Sequence, residues 1–120
     1  MEGLNNLRGI SLRNNKFVGE VPDGIGNCLL LRSIDLSRNS FSGGLPSSMQ
    51  KLSLCNNLSL GKNVFTGEVP QWIGEMRSLE SLDFSENNFT GQVPDSFSKL
   101  QSLKVLNVSK NALSEACLSP

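Results

Sequence analysis

The chain has no histidine and no tyrosine, and it contains one tryptophan and three cysteines among 120 residues. Histidine is the commonest metal ligand and the side chain best suited to acid–base catalysis near neutral pH, so its absence disfavours both kinds of site. Eleven basic residues balance eleven acidic ones, and the net charge is zero. Because no overall field of one sign exists, we expect no nucleic-acid partner.

Long apolar runs are missing as well. The longest aliphatic run covers residues 29–31, whereas a membrane-spanning helix needs roughly 20 apolar residues. Residues 1–5 show neither the basic nor the apolar part of a secretory signal peptide. We therefore expect no membrane contact by this segment. We also expect either a protein made without a leader or a piece of a longer chain.

The dominant feature of the sequence is a 24-residue repeat. An asparagine recurs at this spacing without insertion or deletion, at Asn15, Asn39, Asn63, Asn87 and Asn111. An apolar pair precedes each asparagine, in turn Ile10/Leu12, Ile34/Leu36, Leu58/Leu60, Leu82/Phe84 and Leu106/Val108. We place the repeats at residues 4–27, 28–51, 52–75, 76–99 and, incompletely, 100–120. Together they form a single domain, 1–120, without evident caps.

Each column of the repeat predicts a structural element. Apolar and polar residues alternate around the apolar pair, which is typical of a short strand, and successive strands would stack about 4.8 Å apart as a parallel sheet. The asparagine amide can satisfy backbone groups where the chain turns inward. A spine of aromatic residues would fill the far side of the core, at Phe17, Phe41, Phe65 and Phe89. Glycine permits the next turn, and the proline after it predicts short helical or irregular segments such as residues 23–26 and 71–74.

The fold class is therefore an α/β solenoid, mostly β with short 3₁₀ or irregular segments. One parallel β-sheet would form its concave face. Residues 79–94 carry the fullest motif, L-x-x-L-x-F-x-x-N-x-F-x-G-x-V-P. This motif and its period resemble the plant-specific leucine-rich repeat. That repeat occurs in the ectodomains of receptor-like kinases and receptor-like proteins and in polygalacturonase-inhibiting proteins. Residues 53–55 and 67–74 look most like the receptor kinases named for inflorescence and root apices.

The resemblance implies a right-handed superhelix in an extracellular or plasma-membrane ectodomain. It also implies non-catalytic recognition of a protein or peptide, without cofactor or metal. One alternative is a secreted inhibitor of a cell-wall-degrading enzyme, similar to the polygalacturonase inhibitors. A remote alternative is ice binding through a row of hydroxyl side chains, Ser42, Thr66, Thr90 and Ser114, in which Val18 occupies the first position.

Polar strand residues that point away from the core are the candidate binding surface. They are Ser11, Arg13, Ser33, Asp35, Ser37, Asn57, Ser59, Ser81, Asp83, Ser85 and Asn107. The competing interpretation is that these side chains are merely solvated positions between core residues. Asp35 and Asp83 share one column two repeats apart, roughly 9–10 Å from each other. That spacing approaches the carboxylate separation of inverting glycosidases, but Ser59 lies between them and no apolar pocket surrounds either, so we expect no enzyme.

Three N-x-S/T sequons start at Asn57, Asn88 and Asn107, and such sites accept glycans on secreted surfaces. Two of the three lie on the predicted concave face, so Asn88 is the favoured acceptor.

The remaining expectations concern burial. Cys28, Cys55 and Cys117 occupy apolar columns, so we expect small buried side chains without a disulfide framework. Trp72 should be partly buried on the convex side. The uncapped ends should expose apolar side chains and permit end-to-end self-association, through Leu4 and Leu7 at one end and Leu106, Val108 and Leu113 at the other.

Overall fold

The computed structural model describes residues 6–113, in which short strands alternate with 3₁₀ helices. The strands are β1 (Gly9–Ser11), β2 (Val18–Gly19), β3 (Ser33–Asp35), β4 (Ser40–Gly43), β5 (Asn57–Ser59), β6 (Val64–Glu68), β7 (Ser81–Asp83), β8 (Asn88–Gly91), β9 (Val105–Asn107) and β10 (Ala112–Leu113). The 3₁₀ helices are Asp23–Asn27, Ser47–Lys51, Gln71–Glu75 and Asp95–Lys99. Each begins directly after a proline, as predicted. No helix in this part of the chain is long and apolar enough to cross a bilayer.

The odd-numbered strands form the predicted parallel sheet, in the order β1-β3-β5-β7-β9. Its register keeps the 24-residue spacing, so Ile34 pairs with Leu58 and Leu58 pairs with Leu82. These three side chains are completely buried. The polar residues on either side of them face the opposite way. We call that opposite side of the sheet the concave face.

A second parallel sheet, in the order β10-β8-β6-β4-β2, was not predicted. It contains the segments between the asparagine and the proline, for which the sequence predicted only a turn at the glycine. Its register advances by 22 residues per repeat, so Ser42 pairs with Val64 and Thr66 with Asn88. The hydroxyl row proposed for ice binding is therefore staggered. Ser42 and Thr66 each pair with a residue that lies two positions before the next member of the row. Ser114 of that row lies outside the described residues.

The asparagine column joins consecutive repeats by hydrogen bonds. The Asn63 amide donates to the carbonyl oxygens of Leu60 (3.1 Å) and Gly61 (3.2 Å) in its own turn and of Leu36 (2.9 Å) in the preceding repeat. Its Oδ1 atom accepts a bond from the Phe41 backbone nitrogen at 3.0 Å. Asn39 and Asn87 repeat the pattern. The prediction that this amide makes hydrogen bonds to the backbone groups of the inward turn is confirmed.

Between the two sheets lies one continuous core. The predicted phenylalanine spine is present, with successive ring centroids 6.0–6.4 Å apart and interplanar angles of 9–16°. Cys28 and Cys55 are buried within the core as free thiols. Trp72 is half-buried and packs against the core, as expected. Cys117 lies outside the described residues.

The first and last repeats carry the exposed part of the core. Leu7, Ile10, Leu12 and Phe17 line an open apolar cleft of about 430 Å³ at the N-terminal end. At the other end Leu106 is 41% exposed. Val108 and Leu113 are half-buried there. Leu4 lies outside the described residues. The expectation of apolar ends is confirmed for the residues that the structure describes.

Candidate functional site

The concave face presents side chains at every second strand position. Ser11, Arg13 and Asn107 are exposed, whereas six of the other predicted residues are half-buried: Ser33, Asp35, Asn57, Ser59, Ser81 and Asp83. Ser37 and Ser85 are only 8% and 7% exposed. These two serines lie two residues after the ends of β3 and β7, and they offer little surface to a ligand. The other nine predicted residues share one accessible surface.

The aspartates of this surface have a structural task. The Asp35 Oδ1 atom accepts bonds from the backbone nitrogen (3.0 Å) and the hydroxyl (2.6 Å) of Ser37. The Ser85 backbone nitrogen donates to Asp83 in the same way at 2.9 Å. Asn107 accepts a matching bond from the Ser109 backbone nitrogen at 3.1 Å. A side chain that bonds the backbone two residues later closes a local turn. An aspartate or an asparagine oxygen suffices for this task, which explains why both residue types occupy the column.

Asp35 and Asp83 remain two rungs apart in the sheet, with Ser59 paired to both. Strand spacing puts their backbones roughly 9–10 Å apart. Each carboxylate is held against its own turn, in an open surface lined by serine and glycine. Within residues 6–113 no group of three or more histidine, cysteine, aspartate or glutamate side chains is arranged to hold a metal ion. This geometry suits contact with a ligand better than acid–base chemistry.

A shallow depression of about 160 Å³ lies where the middle strands end. Its lining is Arg13, Ser37, Arg38, Ser59, Gly61, Lys62, Asp83 and Ser85. Gly61 keeps it open: a Cβ atom there would lie 3.2 Å from the Ser85 hydroxyl and 3.3 Å from the Asp83 carboxylate. The sequence analysis named Arg13 but missed Arg38 and Lys62.

The two missed residues belong to a column of left-handed backbone conformations. Arg38 (φ 59°), Lys62 (φ 57°) and Glu86 (φ 54°) each directly precede the repeat asparagine, that is Asn39, Asn63 and Asn87. Alternation along the strand does not predict which way such a residue points, because the strand has already ended. The sequence signal that could have identified Arg38 and Lys62 as surface residues of the site was their position directly before the repeat asparagine.

The three sequon asparagines have different surroundings. The Asn57 amide donates to the Ser33 hydroxyl at 3.1 Å, so it is already engaged across the concave face. Asn107 closes the turn described above. Asn88 is exposed at the start of β8 in the second sheet. Glycan attachment at Asn88 stays a prediction, and its position leaves the concave face unobstructed.

The buried thiol of Cys55 is a poor nucleophile. Burial raises the pKa of Cys55 to about 11, because the surrounding core disfavours the thiolate, and a contact with the Asn57 backbone only partly offsets this effect. Thiolates, rather than thiols, react with electrophiles and metals. Cys55 therefore serves as a core side chain.

Comparison with known proteins agrees with this geometry. A leucine-rich-repeat family model matches residues 47–113, and a second leucine-rich-repeat model matches residues 6–28 and 30–52. The chain belongs to the leucine-rich-repeat family. Its repeats are those of plant receptor-kinase ectodomains. No curated protein matches the chain.

Three solved structures illustrate the likeness. The ectodomain of the Arabidopsis thaliana receptor kinase GASSHO1/SCHENGEN3, in complex with CASPARIAN STRIP INTEGRITY FACTOR 2, is 37% identical with a TM-score of 0.89, over 92% of this chain and 13% of that one. The plant peptide hormone receptor RGFR1 in complex with RGF2 is 37% identical with a TM-score of 0.89, over 91% of this chain and 18% of that one. The Arabidopsis thaliana BIR3–SERK2 complex contains a chain that is 33% identical with a TM-score of 0.87, over 95% of this chain and 61% of that one. The chain thus spans only part of the length of each relative.

Proposed function

We propose that this chain is a non-catalytic module that recognises a peptide or a protein surface through its concave face, as part of an extracellular receptor-like ectodomain. The observation that carries the proposal is the accessible row of serine, asparagine, aspartate and arginine side chains on a parallel sheet. Because the strand backbones are paired and the asparagine column fixes the turns, the sheet presents these groups without reorganisation, which lowers the entropic cost of binding.

The comparisons support the same role. RGFR1 is a peptide hormone receptor whose structure contains RGF2. The HAESA structure contains the peptide hormone IDA and the co-receptor SERK1. Both relatives are more than five times as long as the part matched here, since this chain covers 18% of each. Recognition is therefore proposed for this segment alone, and signalling is not.

The proposal is tested by selecting binders from a display library of random short peptides on the immobilised full chain. Ser59→Trp places a large ring in the middle of the concave face, and Gln50→Trp places the same ring on the exposed surface of the 3₁₀ helix Ser47–Lys51. We expect Ser59→Trp to weaken the selected peptides by at least about tenfold, as loss of a central contact does. Gln50→Trp should change binding less than about twofold, a surface effect.

Equal effects of the two tryptophans would contradict recognition by the concave face. A polygalacturonase added to the same assay addresses the inhibitor alternative. Inhibition of that enzyme, relieved by Ser59→Trp, would assign the concave face to enzyme inhibition instead of peptide reception.

The exposed apolar side chains at both ends support a further proposal about partners. Val18 is 74% exposed at the first repeat and Leu106 is 41% exposed at the last described one. We infer that chains associate end to end, because the C-terminal side of each internal repeat already packs on the N-terminal side of the next.

A further inference from the structure

Charge is unevenly distributed along the concave face although the whole chain is neutral. Four of the five arginines of the chain lie in the first two repeats, and all four are exposed at or beside the inner strands: Arg8, Arg13, Arg32 and Arg38. The fourth repeat has Glu80 at the position of Arg8 and Arg32, and Glu86 at the position of Arg38. Asp83 lies in the column of Asp35, which is the one acidic residue on the inner strands of the first two repeats. The face is therefore basic at its N-terminal half and acidic two repeats later.

The arginines repeat one sign in neighbouring rungs. The Arg32 backbone nitrogen donates to the Arg8 carbonyl oxygen at 2.7 Å, so the two side chains leave adjacent rungs of one column. Like charges directly across a strand pair repel each other. Further along the same column Glu80 pairs with Lys104 at 3.5 Å. In the last two repeats this column therefore holds an ion pair of opposite charges, whereas in the first two repeats it holds two positive charges.

The other flank of the face shows the same contrast. Arg38 and Lys62 precede the asparagines of successive repeats and line the shallow depression together. Lys62 has an ion-pair partner, Glu86, at 3.8 Å. Among the residues that the structure describes, the salt bridges within 4 Å involve Lys62, Arg77, Lys99 and Lys104, and none involves the four arginines of the first two repeats.

We propose that the ligand of the concave face is a peptide segment with clustered carboxylates, which lie over the arginines of the first two repeats. The inference rests on the proposed function and specifies its ligand class. Guanidinium groups bind carboxylates through two parallel hydrogen bonds, which favours arginine over lysine at such a surface. The bound carboxylates also remove the repulsion between neighbouring arginines. The next part of the peptide, over Asp83, is neutral or basic.

A short acidic segment fits this surface better than a uniformly charged polymer does. Two rungs of about 4.8 Å cover roughly 10 Å of the face, which an extended peptide at about 3.3 Å per residue crosses in about three residues. Beyond Lys62 the sign of the face reverses at Glu80 and Asp83. A polyanion such as an oligogalacturonate would meet these carboxylates with charge of the same sign. A peptide can change its charge within that distance.

The test uses the peptide selection on the full chain and scores the charge of the selected sequences. We expect clustered aspartate and glutamate in peptides whose binding depends on Ser59. The double variant Arg8→Gln, Arg32→Gln should weaken those peptides at least about fivefold and reduce the salt dependence of their affinity, because screening acts on exposed charges. The matched control is Arg77→Gln, whose side chain is also exposed but lies two residues after the 3₁₀ helix Gln71–Glu75, where it pairs with Glu75 at 3.9 Å. It should change affinity less than about twofold.

The outcomes separate this inference from the proposed function. Peptides that depend on Ser59 but carry no excess of acidic residues would overturn the inference and leave concave recognition intact. Failure to select any peptide that depends on Ser59 would overturn both. A decagalacturonate that displaces the selected acidic peptides at lower concentration than an unlabelled copy of those peptides would assign the arginines to a polysaccharide. Thermal unfolding of every variant confirms that the fold is retained.

Discussion

At the scale of single residues, the asparagine column is the most constrained part of the chain. Four of the five asparagines, Asn39, Asn63, Asn87 and Asn111, make bonds to their own turn and to the preceding repeat, and Asn63 and Asn87 are 6% exposed. A buried polar backbone group that loses its partner costs more free energy than an average hydrogen bond contributes. The asparagines therefore hold neighbouring repeats together in addition to the apolar side chains.

Replacement of Asn63 by alanine should destabilise the protein strongly. The change leaves the Phe41 nitrogen and several carbonyl oxygens without their partner in a buried turn, so we expect a loss of about 3 kcal/mol in the free energy of unfolding. Chemical denaturation measures this. Asn88→Ala, at an exposed strand position, is the control and should change stability by less than about 0.5 kcal/mol. Similar losses for both variants would refute the structural role of the column.

Replacement of Asp35 by asparagine should be tolerated. Asn107 already makes the same turn bond with an amide oxygen, so the free energy of unfolding should change by less than about 1 kcal/mol. Asp35→Ala removes the acceptor and should cost more. A loss for Asp35→Asn as large as that for Asp35→Ala would show that the negative charge, and not the turn bond, is what the position requires.

The raised pKa of Cys55 predicts an alkaline loss of stability. In the unfolded chain the pKa of the thiol is near its ordinary value of 9.0, while in the folded chain burial raises the pKa to about 11. The folded state thus retains a proton that the unfolded state loses, so stability is full below pH 9 and falls as the pH rises towards 11. The loss is on the order of 2 kcal/mol.

Unfolding of the Cys55→Ala variant across the same pH range isolates this contribution. The variant should be less stable at pH 8, because a core side chain is truncated. Its stability should then decline less steeply between pH 9 and pH 11. Parallel curves for the two proteins would contradict burial of the thiol.

At the scale of the elements, glycines serve two different physical purposes. Gly67 has a φ of +83° and open space around its Cα atom, so it supplies a backbone conformation. Gly74, in the 3₁₀ helix Gln71–Glu75, has no such conformation, but a Cβ atom there would lie 2.5 Å from the Ser96 carbonyl oxygen. The neighbouring 3₁₀ helix packs that closely because its Ser96 hydroxyl donates to the Gln71 carbonyl at 2.6 Å.

Alanine substitution distinguishes the two purposes. Gly67→Ala should cost only the backbone strain, about 1–2 kcal/mol. Gly74→Ala must separate two packed backbones and should cost more, about 3 kcal/mol or above. Denaturation curves of the two variants provide the measurement. A smaller loss for Gly74→Ala would mean that the 3₁₀ helices do not pack as closely as the structure indicates.

At the scale of the whole molecule, identical interfaces stack along one axis, and the described part measures 43 × 31 × 20 Å. Each repeat buries its apolar face only against its neighbours, which is characteristic of solenoids. The first sheet, the 3₁₀ helices, the phenylalanine spine and the asparagine bonds were predictable, because each follows from a column that recurs at the 24-residue period.

The second sheet and the depression beside Lys62 were not predictable in the same way. Strands β2 (Val18–Gly19) and β6 (Val64–Glu68) of the second sheet contain a glycine and have no pair of core residues two positions apart, so alternation does not mark them. Their 22-residue register also differs from the sequence period. The direction of Arg38 and Lys62 depends on a left-handed turn that the residue types themselves do not signal.

End-to-end association gives a prediction at this scale. Val18 and Leu106 are exposed at opposite ends, so sedimentation should show an average mass that rises with protein concentration. A head-to-tail contact of this kind does not close and produces open chains. Val18→Lys or Leu106→Lys should lower the average mass, whereas Val64→Lys, exposed in the second sheet away from both ends, should not. A monomer at all concentrations would contradict the association.

The central claim is that ligands bind on the concave face. An NMR map of backbone amide shifts, recorded on the full chain with a selected peptide, tests it most directly. The account predicts shifts concentrated in residues 9–13, 33–38, 57–62, 81–86 and 105–109. Shifts concentrated in the 3₁₀ helices or in the second sheet would contradict it.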